Sequence, residues 1–425
     1  MQDYHEKNLN RYGLPGFYIL LISLFCFFAI CGYGRTTNMI ASVLLCVLSV
    51  IFLYASKGKI NKDNWGKSYI CFILYFLFLL ITSLPNMTSG YYFFGTTVLW
   101  TLVQFFPMAI FSYIRKVYDY KKLRFLFVIL TIVWFLIILV SIVAFAAADI
   151  GGRSFAQLSR GFLIGGGYPM AYGSTILVAV AVFMILDKQR KSVFEKVFYT
   201  AVLVISVIHV LLTQSVITIA AMCAGIALGF IFHGRKGSLH SKLGFIVIVG
   251  VIILVLLNTK QIGLELIQIG GKIQNQIFSQ RIIEMGQWMF SDTESYHVGA
   301  RTDTIFASLK TFLTNPLLGV GYKVGNEYSY FADVGIGNHS EILDIFAQCG
   351  FIGGLLFMGI YYYQIKAIIG MTSLNISIPL ITALLILGLF NPFVSAQTGF
   401  MLFLYLPLLI KLHEEKMENE LSLSE

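Results

Sequence analysis

Charge is the scarcest commodity in this sequence. Of 425 residues, only 12% are Asp, Glu, Lys or Arg, against about 25% in a soluble domain. The apolar set is 57%, aromatics are 15%, and mean hydropathy is +0.80. No water-soluble core hides so much hydrocarbon, so the expected solvent is a bilayer. A cytosolic enzyme, a secreted disulfide scaffold and a disordered chain are excluded. Cysteine is also sparse. Cys26, Cys31, Cys46, Cys71 and Cys223 sit in apolar runs, where a thiol behaves as a small hydrophobe, and Cys349 has no evident partner. No disulfide framework is expected. HExxH, paired CxxC, EF-hand and Gly-Lys-Ser/Thr phosphate-loop patterns are all missing, as are internal repeats and low-complexity tracts. Residues 1–16 are polar and lead into a full-length apolar run, so a cleavable signal peptide is not expected and the first span should direct insertion.

Long apolar runs are what the sequence has in abundance. They are about 17–23 residues long, which fits helices rather than the ~10-residue alternating strands of a barrel. The reading is an all-α polytopic membrane protein with about twelve transmembrane helices, at roughly 17–34, 38–55, 68–84, 96–114, 125–147, 169–187, 197–213, 216–232, 243–258, 350–369, 376–390 and 395–410. The net charge of +9 is not a nucleic-acid signal, because the basic residues fall in short clusters between spans. Most of the 30 Lys and Arg lie on one side if both termini are cytoplasmic, as the positive-inside bias requires. The chain then divides into spans one to nine (1–258), a large extracytoplasmic loop (259–349), spans ten to twelve (350–411) and a polar cytoplasmic tail (412–425).

The large loop is not disordered in composition. Ile262, Leu266, Ile269, Ile273 and Ile277 recur at helical spacing and predict an amphipathic helix on the bilayer surface. A second helix is expected over 304–314, with Ile305, Leu309 and Phe312 on one face and Asn315-Pro316 as its stop. A glycine-rich stretch follows at 319–325, then a third helix over 339–348 that Gly350 breaks before span ten. A smaller outer loop, 148–168, carries Arg153 and Arg160.

Ionisable residues are nearly absent from the middle of the spans, which argues against a proton- or ion-coupled transporter. His209 is the exception, and its plain reading is a histidine hydrogen-bonded to a neighbouring helix. Gly319-Val320-Gly321 reads more simply as a tight turn between helices than as a phosphate cradle.

The informative residues are Arg301, then Asn315-Pro316-Leu317-Leu318-Gly319-Val320-Gly321, Gly337-Asn338-His339-Ser340-Glu341-Ile342-Leu343-Asp344, and Gly350-Phe351-Ile352-Gly353-Gly354. Together they resemble the O-antigen ligase and Wzy-type polysaccharide polymerase superfamily of bacterial envelopes. Arg301 stands at the position of that family's arginine before the helix, and His339 at that of its loop histidine. The close match covers residues 301–355. One departure is Thr213-Gln214-Ser215-Val216, where the family often has Ser-Arg-Gly. If that arginine binds diphosphate elsewhere, Arg160 and Arg153 are the candidates to serve here.

The resemblance implies a metal-independent, GT-C-like glycosyltransferase with no cofactor. Its donor would be a glycan on undecaprenyl diphosphate, in the bacterial cytoplasmic membrane with the active loop outside. The residue types suit such chemistry. A diphosphate leaving group gains negative charge as the anomeric bond breaks, and arginine meets it as a permanent, bidentate cation. An attacking sugar hydroxyl needs a base near pH 7, which a neutral histidine supplies. Asn338 is the expected N-cap, with Glu341 completing a capping box. His339 would then lie in the first helical turn, where the dipole disfavours imidazolium. Asp344 is a candidate partner behind the site. Glu341 and Asp344 share one short helix, so they do not form a glycosidase pair.

The expected activity is that of a polymerase joining lipid-linked repeat units, with a flippase and a chain-length regulator as partners. An O-antigen ligase-type transferase, a lipid-linked sugar flippase or other transporter, and a scaffold with a decayed loop are the alternatives.

Overall fold

The structure is a computed structural model. It describes residues 14–30, 40–48 (without 42 and 46), 63–83, 99–147, 167–186, 193–232 (without 214), 259–287 (without 275–278, 281 and 285), 296–320, 336–337, 339–371 and 376–422. The expected span at 243–258 and most of that at 38–55 lie outside the described residues. So do Arg153 and Arg160.

The described chain is helical, with no strand among the described residues. Its elements are α1 (Leu14–Ile30), α2 (Asn64–Ser83), α3 (Leu99–Val117), α4 (Tyr120–Ala147), α5 (Gly167–Leu186), α6 (Val193–Leu212), α7 (Val216–Phe232), α8 (Thr259–Lys272), α9 (Tyr296–Thr314), α10 (Glu341–Ile369), α11 (Ser377–Phe390), α12 (Ala396–Phe400) and α13 (Leu406–Ser422), with a π-helical turn at Met401–Tyr405 between the last two. Among the described residues, five helices are long and apolar enough to cross a membrane: Asn64–Thr82, Tyr120–Val143, Val193–Leu212, Glu341–Ile369 and Ala396–Glu415. Shorter apolar helices run over Tyr18–Ile30, Pro169–Ile185, Ile217–Leu228 and Ser377–Phe390. The chain is an all-α membrane protein.

Side-chain caps set several helix starts. Asp63 Oδ1 accepts the Gly66 N–H at 2.9 Å and starts α2. Asp119 Oδ1 accepts the Lys122 N–H at 2.9 Å, which places the start of α4 five residues before the expected 125. Ser395 and Thr398 form a reciprocal capping box at α12. The last helix continues to Ser422, through the segment expected to be a solvated tail. The Lys411–Glu415 pair, 2.8 Å apart at i,i+4 spacing, supports that extension.

The C-terminal rod of α12, the π-turn and α13 is the centre of the bundle, touched by α1, α3, α4 and α5. Fully 94% of its spanning window is buried, as an all-round apolar helix must be. Trp134 of α4 stacks on Phe400 with ring centroids 5.6 Å apart, and Phe105 of α3 lies 5.5 Å from Phe403. The closest approach is at Gly399, where a Cβ would stand 2.0 Å from the Gln104 carbonyl oxygen. Outside this centre, α10 packs along α2, α5 along α6, and α7 along α11. Ser68 Oγ donates to the Ile360 carbonyl at 2.8 Å and ties α2 to α10.

At one end of the bundle, Arg115 donates to the Asp63 carboxylate and lies 5.5 Å over the Trp65 ring. Burial pushes the Asp63 carboxyl up, but the Gly66 N–H and the Arg115 guanidinium outweigh it and hold it below the ordinary carboxylate range.

Helix α8 forms where expected, with a different inner face. Gly263 and Gly270 are buried, while Ile269 is 50% exposed. Ser279, Ile283 and Gly286 pack against the two glycines, because a surface without side chains lets the following segment approach most closely.

Candidate functional site

The motif strings meet at one junction, between α9 and the first half of α10. Helix α9 stops at Thr314 as Asn315-Pro316 requires, with the Asn315 N–H closing on Thr311 O at 3.1 Å. Helix α10 is interrupted at Gly350, whose φ of 61° and ψ of −165° are open in practice to glycine alone. The interruption orphans carbonyls before it and N–H groups after it in the chain. The turn after α9 satisfies them. Phe351 N donates to Pro316 O at 2.7 Å, Ile352 N to Leu317 O at 3.3 Å, and Val320 N to Ala347 O at 3.1 Å.

The fit depends on a second glycine. Gly319 also has positive φ, 69°. A Cβ there would meet Gln348 O at 2.4 Å, and a Cβ on Gly350 would meet Leu317 O at 2.4 Å. The NPLLG and GFIGG strings are therefore two halves of one backbone lock. The turn reading of Gly319-Val320 holds. The Val320 N–H is already taken by Ala347 O and is not offered to a phosphate.

The histidine string docks on the same helix. Gly337 rests against Thr304, where a Cβ would stand 2.1 Å from the carbonyl oxygen. Its N–H donates to Ser308 Oγ at 2.8 Å. Ser308 Oγ donates in turn to Asp344 Oδ1, and Asp344 Oδ2 accepts the Ser340 N–H at 3.0 Å. Ser308 is fully buried and Asp344 is buried, so the carboxylate draws its compensation from these two donors. His339, half-buried, sits between two pinned backbone N–H groups.

The cap differs from expectation. Ser340 is the N-cap of α10, its Oγ accepting the Leu343 N–H at 3.3 Å and donating to Gly388 O at 3.3 Å. Asn338 lies outside the described residues. Glu341 makes no capping box. Its Oε2 accepts the Val394 N–H at 3.0 Å, and its own N–H donates to Asn391 O at 3.3 Å. Glu341 thus ties α10 to the connection between α11 and α12. His339 precedes the helix rather than occupying its first turn, because Asp344 holds the Ser340 N–H and fixes the start there. The dipole argument for a neutral imidazole loses its premise.

Arg301 lies in α9, one turn before Thr304. The Gly337–Thr304 contact therefore brings position 301 and His339 onto one platform. The Arg301 side chain, Arg153 and Arg160 are outside what is described. At the place of the missing Ser-Arg, Thr213 and Ser215 are buried, and Thr213 Oγ1 donates to Val210 O at 2.7 Å. Nearby, Ser174 Oγ and His209 Nδ1 are 3.1 Å apart between α5 and α6, the inter-helix hydrogen bond expected of His209. Among the described residues, no three His, Cys, Asp or Glu converge as a metal site.

Sequence reasoning missed the inner face of α9. The expected row of Ile305, Leu309 and Phe312 is half-buried, whereas Thr304, Ser308 and Thr311 are the buried residues. Phe306 and Leu313 are 60% and 66% exposed. Hydroxyls at i, i+4 and i+7 were the available signal, readable only once the helix is known to face polar backbone and lipid rather than water.

Residues 201–358 match the family model described as O-antigen ligase. The match spans α6 to the upper part of α10 and includes both halves of the glycine lock and the histidine string. Over these residues the chain is similar to that family. No curated protein matches the chain significantly.

Proposed function

We propose that the chain is a polysaccharide polymerase of the bacterial cytoplasmic membrane, with both termini cytoplasmic and the α9–α10 junction at the outer face. It transfers the glycan of an undecaprenyl-diphosphate-linked donor to a hydroxyl of a lipid-linked repeat unit. The observation that carries the reading is the junction itself, which gathers position 301 and His339 from separate parts of the large loop.

The acceptor hydroxyl attacks the anomeric carbon and loses its proton to His339. The bond from that carbon to the diphosphate oxygen breaks, and undecaprenyl diphosphate leaves with the electron pair. Arg301, with Arg160 and Arg153 from the smaller loop, meets the charge that grows on the leaving group. Asp344 positions the histidine through Ser340. No metal ion has a part in this scheme.

The test uses full-length protein in detergent with a lipid-linked repeat unit as both donor and acceptor. A ladder of longer products is expected, lowered about 10²–10⁴-fold in His339→Ala and abolished in Arg301→Ala. Undiminished ladders in both variants would remove these residues from the reaction. A ligase is the second reading, favoured by the description of the matched family. It predicts product only when a different acceptor is supplied. A flippase would yield no longer product in detergent at all.

A further inference from the structure

A groove of about 390 Å³ runs between α10 and α11, within the size range of ligand clefts. Its wall is hydrocarbon and aromatic, from Ile342 and Phe393 at one end past Phe357, Tyr361 and Leu384 to Lys366 at the other. Lys366 is the single charged residue among the described residues lining it. Its ammonium lies 5.7 Å over the Tyr362 ring. The adjacent Tyr363 ring, 5.1 Å from that of Tyr362, has the Lys67 ammonium 5.8 Å above it. Neither lysine makes an ion pair among the described residues. The opposite end has the contrary character, for the Glu341 carboxyl is held there by Val394, next to the lining residue Phe393.

Walls that accept only hydrocarbon, with a lysine at one end that makes no ion pair among the described residues and a carboxyl near the other, match an amphiphile whose anionic head faces the lysine. We propose that this groove binds an anionic phospholipid, its phosphate on Lys366 and an acyl chain along α10 and α11. In the orientation proposed above, the headgroup belongs to the inner leaflet. The proposed head-group end, at Lys366, is the end of the groove opposite Glu341 and the α9–α10 junction, so the site is separate from the proposed transfer chemistry.

The experiment takes full-length protein in neutral detergent, stripped of lipid, and compares phosphatidylglycerol with phosphatidylcholine of the same chains by native mass spectrometry. One basic residue at an anionic surface contributes about 1 kcal/mol, so a preference of about fivefold for phosphatidylglycerol is expected. Lys366→Gln should lose that factor and Lys366→Arg keep it. Leu385→Trp, which fills the groove, should reduce retention of both lipids. The preference of the unaltered protein should also shrink at high salt, a measurement that holds even if the glutamine variant misfolds. Equal retention of the two lipids by unaltered protein would overturn the proposal, as would an undiminished preference in Lys366→Gln. Stabilisation by inorganic phosphate alone would show a phosphate site without a lipid, and displacement of phosphatidylglycerol by undecaprenyl phosphate would give the groove to the donor. Either result also refutes it.

Discussion

The centre of the bundle and the polar contacts of the α9–α10 junction are both buried, yet different interactions hold them. Around the C-terminal rod the contacts are rings and aliphatic chains, such as Trp134 on Phe400 and Phe127 on Tyr405 at 5.2 Å. In lipid no hydrophobic effect drives such contacts, so shape alone selects them. At the junction the contacts are backbone hydrogen bonds, hydroxyls and one buried carboxylate. These demand particular donors at particular angles. The contrast teaches that shape dominates at the rod, where Gln364 and Gln397 each add a bond to a backbone carbonyl, whereas directional bonds dominate at the junction.

Substitutions can break that contrast. The largest effect is expected at Gly399, where a Cβ meets the Gln104 backbone and nothing flexible can yield. Gly399→Val should leave no monodisperse protein on size-exclusion chromatography. Gly350→Val comes next. It adds backbone strain of about 1–3 kcal/mol and a clash with Leu317 O. The rod should survive, so the protein should still elute as a folded species while chain extension falls below detection. If Gly350→Val instead destroyed the whole protein, the two regions would not be independent.

Asp344→Asn sharpens the comparison. Asparagine keeps one acceptor oxygen but not two, and a hydrogen bond to a charged group contributes about 1.5–3 kcal/mol. Transfer should fall roughly tenfold or more, with His339 still present and the melting temperature only slightly lowered. Ser308→Ala should act in the same direction.

The Asp63–Arg115 pair gives a smaller, pH-dependent effect. A carboxyl held below its ordinary range in the folded protein stabilises it above that range, and the contribution disappears as pH falls through the folded value. Asp63 is 39% exposed, so screening limits the contribution to at most about 1 kcal/mol. Melting curves of unaltered protein and Arg115→Gln should differ near neutral pH and converge in acid. Tyr405→Phe should have the smallest effect. It removes a 3.0 Å contact with Thr131 Oγ1, and inter-helix hydrogen bonds in membranes average about 0.6 kcal/mol.

Features ruled by local chemistry were legible in the sequence. Asn315-Pro316 ends α9, Gly350 breaks α10, and His209 finds a partner on the next helix. Each follows from what one residue type can or cannot do. Features that arise between segments were not legible. The cap moved from Asn338 to Ser340 because a carboxylate one turn on, itself held by a serine on another helix, bonds the Ser340 N–H. The start of α9 at Tyr296 rather than 304 has a different cause. No apolar row marks those extra turns, but extending an existing helix costs little per residue. That α5 and the last helix occupy the centre is a matter of packing order, which periodicity does not encode.

The π-turn at Met401–Tyr405 has a mechanical consequence. Widening of the helix ladder there coincides with Gln364 of α10 donating to the Leu402 carbonyl at 3.0 Å. Sliding the lower part of α10 would strip that carbonyl of its donor inside the bilayer, where water cannot replace it. The lower shaft is moored to the rod, while the upper part is clamped to α9 through Gly350. Any swing of the upper part must therefore carry α9, Ser308 and His339 together, as one plate turning on a fixed pivot.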